Sequence, residues 1–289
     1  MVRVRSVLPS LPPAERRVAQ RVVDDPEGVA ASTITELAQA CDTSETTVIR
    51  FCRAVGFSGY PDLRLTLASE AGRARGETGG RVVGSDIGPD DTLTDVVEKI
   101  SFADARAVED TGAQLDIAVL ERVVEAVVTA RRVDIYGVGA SAFVAADFQQ
   151  KLHRIGRVSY AWSDTHIMLT SAAVLGPGDV AVGISHTGST IDTIEALKTA
   201  GNKGATTVAL TNFPRSPIAR AADLVLTTAS RETTFRSGAT SSRLAQLVVI
   251  DCVFVGVAQR TYGPTRRALE ATYDAVRSRR TRDGSRGRR

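Results

Sequence analysis

The sequence predicts an all-α N-terminal region followed by an α/β domain built on a doubly wound parallel sheet. Three observations carry that expectation. Up to about residue 72 the apolar residues recur at helical spacing. From about Val133, short apolar runs such as "RVDIYG" and "DVAVG" alternate with helical stretches, the pattern of parallel strands with helices on their faces. Between the two lies "GRARGETGGRVVGSDIGPDD", rich in Gly and charge and without an apolar period, which reads as a linker. The expected division is a helical head over 1–75, a linker over 76–91, the α/β domain over 92–276 and a basic tail over 277–289. The tail, "RSRRTRDGSRGRR", reads as a disordered, solvated terminus that adds at most nonspecific attraction to DNA.

The bulk numbers narrow the class. A chain of 289 residues, 43% apolar and 24% charged, has the composition of a soluble protein with room for two cores. The net charge of +3 neither demands nor excludes a nucleic-acid partner, so the distribution of charge must decide. Cys41, Cys52 and Cys252 are too scattered for a zinc site and read as reduced core or near-core residues of a cytoplasmic protein. The histidines, His153, His166 and His186, suit no metal motif, and neither metal nor cofactor is expected. The N-terminus has no apolar secretory core, and "LVVIDCVFVGVA" is short and interrupted by Asp251, so it reads as a buried helix and not a membrane span.

The elements of the head follow from local signals. Pro12-Pro13 opens a helix with Val18, Ala19, Val22 and Val23 on one face, and "DDP" ends it at Pro26. Thr33 and Glu36 have the spacing of a capping box for the next helix. A tight turn at Ala40–Thr43 leads to Ser44, which can cap "SETTVIRFCRAVG", and Gly56 closes that helix. At 100° per residue Val48, Phe51, Cys52 and Val55 share its inward face. Thr46, Ile49, Arg50 and Arg53 fall on the other, with guanidinium, hydroxyl and branched aliphatic groups suited to phosphates and base edges in a major groove. A solvated face on a small bundle is the alternative.

The stretch from Leu11 to Ala68 resembles the helix-turn-helix of the RpiR-type transcriptional regulators, whose signature S-x-x-T-V-x-R-F-C-R-x-x-G-F-x-G-[YF] is met by Ser44, Thr47, Val48, Arg50, Phe51, Cys52, Arg53, Gly56, Phe57, Gly59 and Tyr60. Pro12 stands where that family usually has a hydroxyl cap. The resemblance implies a double-stranded DNA operator contacted by Ser44, Thr46, Thr47, Ile49, Arg50 and Arg53.

In the second half, "RVDIYGVGASAFVAADFQQKLHRIG" reads as strand, glycine turn and helix, with Gly137 and Gly139 allowing backbone amides to approach an anion. Gly137, Gly139 and Ala142 also satisfy the loose dinucleotide fingerprint. "GISHTGST", at a second strand end, adds Ser185, His186, Thr187 and Thr190, whose hydroxyls can converge with that of Ser141 on one phosphate. Helix capping by Ser189 or Thr190 is the plainer account of one of these hydroxyls. Further strands are expected at "TTVALTN" and "DLVLTT", then a long helix from about Thr240.

These two motifs, within a stretch from about Thr92 to Tyr273, resemble the flavodoxin-like SIS (sugar isomerase) domain, whose phosphate loop is S-x-[ST]-G-x-T. Thr187 stands where serine is usual, and Ser189 where glutamate is frequent. The resemblance implies a sugar-phosphate effector held by Gly139, Ser141, Ser185, His186, Thr187 and Thr190, with His166, Glu232 and Arg236 near the sugar. Together the two resemblances imply a regulator and not an enzyme. A sugar-phosphate isomerase, with Glu232 or His186 as base, and a dinucleotide-binding module, with Asp164 as a late ribose acid, stay open as rivals. A head this small reads few bases, so at least a homodimer on a near-palindromic operator is expected. The helical stretches Leu93–Arg131 and Thr240–Arg260 are the candidate contact surfaces.

Overall fold

The computed structural model describes residues 4, 7–8, 11–67, 87–230 and 241–277. Glu232 and Arg236, nearly all of the basic tail and most of the expected linker lie outside the described residues.

The head is a set of short helices around one core. α1 (Pro13–Asp24) has Pro12 at its N-cap and, accordingly, no side-chain cap. Between α1 and the capping box, where no element is expected from the sequence, lies a further short helix, α2 (Pro26–Ala31), with the Asp25 carboxylate accepting from Gly28 N. An Asp before a Pro was the local signal for it. α3 (Ile34–Ala40) carries the expected reciprocal box between Thr33 and Glu36. After a turn through Asp42, at φ 47°, α4 (Glu45–Ala54) begins at Ser44. Arg17 braces the turn by donating to the carbonyls of Cys41 and Asp42 at 2.9 and 2.6 Å. α5 (60–67) closes the set, and the buried Tyr60 hydroxyl donates toward the carbonyls of Val29 and Ser32, each at 3.0 Å.

Val48, Phe51, Cys52 and Val55 are buried as their spacing predicts, packed with Val18, Val22 and Leu37. Burial pushes the Cys52 thiol up to about 12, so this cysteine stays protonated. Cys41 is buried too, but Cys252 is exposed, contrary to the core or near-core expectation. Its helix is apolar on more than the side that meets the core, so periodicity alone misplaces it.

The second unit opens with α6 (Leu93–Gln114) and α7 (Ile117–Thr129). A sheet of five parallel strands follows: β1 (Arg132–Gly137), β2 (Ser159–Trp162), β3 (Asp179–Ile184), β4 (Thr206–Thr211) and β5 (Leu224–Thr227), in the order β2-β1-β3-β4-β5. Alternation sends Val133, Ile135, Val180, Val182 and Ile184 to one face. They pack there against α7, α8 (Ala140–Arg154) and α12 (Ser241–Arg260). Tyr136 and Ala181 face α9 (Thr165–Ala173), α10 (Ile191–Asn202) and α11 (Pro217–Arg220) on the other side. α13 (Tyr262–Arg277) ends the described chain.

By length and composition α12 could cross a membrane, yet Ala245, Val249, Ile250, Val253 and Val257 are buried in the protein core. One side of the helix thus packs into the protein, and Asp251 on it pairs with Lys151.

Two buried carboxylates anchor the start of the sheet. Asp134, fully buried, accepts two bonds from Arg132 at 2.6 and 2.8 Å, one from Trp162 Nε1 at 2.9 Å and one from the Ser171 hydroxyl. Asp179, 2% exposed, accepts from Arg131 Nε and Nη2 at 3.0 and 2.7 Å and from Gly176 N at 3.0 Å. The Arg131 bonds hold the Asp179 carboxyl below its ordinary value, the Gly176 amide adds to this, and burial opposes it. A depressed carboxylate stabilises the fold fully above its unfolded pKa, and the contribution is lost as pH falls through the folded value. Asp179→Asn is therefore expected to cost about 1.5–3 kcal/mol at neutral pH. Urea unfolding from about pH 7 to about pH 3 should show a flatter acid limb in the variant than in wild type.

Candidate functional site

In a sheet of order 2-1-3-4-5 the chain winds outward in both directions from β1 and β3, and the helices that follow these two strands lie on opposite faces. The crevice beyond their carboxyl ends is where such folds hold ligands. Gly137 pairs with Ile184, so the loops at 138–139 and 185–190 leave the sheet side by side. One carries Gly139 and leads to Ser141; the other carries Ser185, His186, Thr187 and Thr190. The topology thus brings these six residues to one crevice.

Each loop depends on a missing side chain. At Gly137 a Cβ would lie 2.6 Å from Ser141 O, so only glycine lets the strand run this close under the start of α8. Gly139, at φ 60° and ψ −126°, is the N-cap of α8 and supplies no side-chain acceptor. Ser141 is half-buried in the first turn.

The hydroxyl loop behaves differently from a simple helix cap. Thr190 occupies the N-cap position of α10 but makes no side-chain cap. Its Oγ1 lies 3.0 Å from Ser185 Oγ, which also accepts from Gly188 N at 3.1 Å. Ser189 does not cap the helix either: its hydroxyl donates to Thr187 Oγ1 at 2.8 Å. Ser185 is 2% exposed, Thr190 half-buried and Thr187 exposed. Two helix starts without side-chain caps and a hydroxyl pair, one buried and one half-buried, therefore face one crevice. Helix N-termini and neutral O–H donors together suit an anion such as a phosphate monoester.

His186 is half-buried and packs edge-on to Phe213, with ring centroids 5.7 Å apart. His166 is exposed in the first turn of α9, following β2, the other neighbour of β1. Asp164, considered as a ribose acid, caps α9 by accepting from Ile167 N at 3.0 Å. Sequence reasoning missed Thr211, Asn212 and Ser216, which sit behind the hydroxyl loop. Thr211 Oγ1 and Asn212 N both donate to His186 O, at 3.2 and 3.1 Å. Their signal was no more than a polar ending to the fourth strand.

On the head, Thr46, Arg50 and Arg53 are exposed on α4 and Ile49 is half-buried. Ser44 caps the helix, accepting from Thr47 N at 3.3 Å. Thr47, named with the others as a DNA contact, is 5% exposed, and its hydroxyl lies 3.0 Å from Ser44 Oγ. Its position beside Val48 turns it inward, so its role is to secure the helix start. A row of guanidinium and hydroxyl groups remains on the outer face.

Residues 1–73 match the family description "Helix-turn-helix domain, rpiR family", and residues 127–256 match "SIS domain". The chain is 41% identical over 274 residues to an uncharacterized HTH-type transcriptional regulator of Caldanaerobacter subterraneus subsp. tengcongensis, covering 94% of this chain and 95% of that one. It is 36% identical over 276 residues to the uncharacterized HTH-type transcriptional regulator YbbH of Bacillus subtilis, covering 95% and 96%. Among solved structures it resembles the Vibrio vulnificus NanR protein complexed with ManNAc-6P, at 28% identity and a TM-score of 0.62, covering 97% of this chain and 99% of that one.

Proposed function

The chain belongs to the rpiR family of helix-turn-helix transcriptional regulators that carry a SIS domain, and from that premise we propose that a sugar phosphate bound in the crevice beyond β1 and β3 controls its affinity for an operator. The observation that carries this reading is the Ser185–Thr190 hydroxyl pair, 3.0 Å apart, at a helix start that neither Thr190 nor Ser189 caps. NanR of Vibrio vulnificus, similar over nearly the whole chain, is named as a complex with ManNAc-6P. A phosphorylated sugar is the matching effector class here. Ser185, Thr187, Thr190, Ser141 and the amides near Gly139 hold its phosphate, His186 borders the sugar, and His166, Glu232 and Arg236 belong to its outer margin. In the head, Thr46, Arg50 and Arg53 meet the DNA, with Ser44 and Ile49 at the edge of the contact.

The functional division runs 1–75 for DNA, 76–91 as connection, 92–276 for the effector and 277–289 as a tail. The protein acts in the cytoplasm, where the DNA is. A dinucleotide site fits less well, because Asp164 is committed to capping α9. We read the chain as a regulator and not an isomerase; turnover of a hexose 6-phosphate would overturn this.

The regulator is at least a dimer on a near-palindromic operator. Leu93 and Val97 on α6 and Val255 on α12 are 84, 63 and 49% exposed, so both candidate contact helices carry exposed apolar side chains that a second copy could cover. Light scattering of the operator-saturated protein should give a dimer or larger, and a monomer would end this idea.

Operators selected from random duplexes allow the remaining tests. Arg50→Ala is expected to weaken operator binding by about 1–3 kcal/mol and relax base preference at one position per half-site, with unchanged circular dichroism. Unchanged affinity would remove Arg50 from the interface.

Replacing Ser185 and Thr190 together by alanine should abolish the response to sugar phosphates while leaving basal operator affinity intact, because each hydroxyl on a dianion contributes about 1.5–3 kcal/mol. Fluorescence anisotropy of labelled operator, with and without a panel of hexose 6-phosphates and N-acetylhexosamine 6-phosphates, reads both quantities. An equal response in variant and wild type would mean that these hydroxyls bind no effector.

A further inference from the structure

The hydroxyl loop is held from behind by one segment, Thr211–Ile218, and its grip is on the backbone. Thr211 Oγ1 and Asn212 N both hold the carbonyl of His186, and Ile218 N donates to Gly188 O at 3.0 Å. Gly188, at φ 64°, fits because it has no side chain: a Cβ there would lie 2.1 Å from Ser216 Oγ and 2.8 Å from Thr211 Oγ1. Ser216 is buried, and its hydroxyl has no hydrogen-bond partner among the described residues. With backbone contacts this close, residues 186–188 cannot be displaced without displacing 211–218.

The same segment reaches the head at the end of the recognition helix. α4 closes with Gly56 N donating to Arg53 O at 3.1 Å and Phe57 N to Cys52 O at 2.9 Å, around Gly56 at φ 88°. The carbonyl of Ala54, the last residue of α4, accepts instead from Arg215 Nη2 at 3.2 Å. A guanidinium suits that position, because the last carbonyls of a helix lack internal partners and carry the negative end of its dipole. Arg215 is itself steadied where Arg220 Nη1 donates to its carbonyl at 2.6 Å.

We propose that Thr211–Ile218 is the element that couples the effector crevice to DNA, with Arg215 joining the hydroxyl loop to the C-terminal end of α4. An anion that draws in Ser185 and Thr190 shifts the backbone at 186–188, the segment follows, and the Arg215 contact to the recognition helix is altered. This rests on the effector reading above and adds the route by which occupancy is transmitted. Arg215 bonds to the Ala54 carbonyl and is not among the residues assigned to the phosphate or to the DNA, so it acts as a positioning residue.

The test uses the full chain, with Arg215→Ala and Arg215→Lys compared to wild type and N-acetylmannosamine 6-phosphate and glucose 6-phosphate as probes. Thermal shift without DNA reads probe binding, anisotropy reads the ratio of operator affinities with and without probe, and hydrogen exchange without probe reads the amides of Gly56 and Phe57. Arg215→Ala is expected to bind the probe like wild type while the affinity ratio falls toward one by about five-fold or more, with Arg215→Lys in between. Gly56 and Phe57 should exchange faster once the cap is lost. An unchanged ratio with probe bound, or unchanged exchange, overturns the proposal. If wild type responds to no sugar phosphate, the effector reading fails, and the exchange measurement alone then decides whether Arg215 secures the recognition helix.

Discussion

Two parallel strands that run side by side and then part are the constraint on which the rest of the SIS domain depends. β1 and β3 pair through Gly137 and Ile184, after which the chain turns to α8 on one face and α10 on the other. The separation leaves a crevice with a helix start on each side. Right-handed crossovers permit few other routes between parallel strands, so the position of the crevice is a consequence of strand order. Glycines allow the close approaches: Gly137 under the Ser141 carbonyl, and Gly183, where a Cβ would meet Ile218 at 3.1 Å.

Within that frame the polar groups divide into those that maintain the fold and those that remain available. Asp134 and Asp179 are saturated by arginines and neighbouring donors, as buried carboxylates must be. Asn212 is similarly committed, its Oδ1 accepting from Ser230 N at 2.8 Å and Thr228 Oγ1 at 3.1 Å. The hydroxyls of Ser185 and Thr190 differ because they engage each other and the loop but leave the α10 start without a side-chain cap. Chemistry at the crevice follows from that division.

The head obeys a similar logic on a smaller scale. One face of α4 is packed with Val48, Phe51 and Cys52, and this packing holds the opposite face, with Thr46, Arg50 and Arg53, in a single orientation. Tyr60 and Arg17 secure the surrounding turns through backbone carbonyls. This is the face proposed above to meet DNA.

Features governed by residues a few positions apart were legible in the sequence: the Thr33–Glu36 box, the Gly56 stop, the inward face of α4, the strands around "RVDIYG" and "DVAVG", and the hydroxyl loop itself. Capping and periodicity are short-range effects, and they survive whatever the rest of the chain does. Packing decided what the residue pattern did not: Cys252 lies outside the core and Thr47 turns inward, while at Thr190 it is the plainer alternative, a cap on α10, that is not found. Tertiary structure alone brought Thr211 and Ser216 behind Gly188 and set Arg215 against Ala54, 161 residues away in the chain. Pairings across such separations depend on strand order and on which face each helix covers, and no local pattern in the residues encodes either.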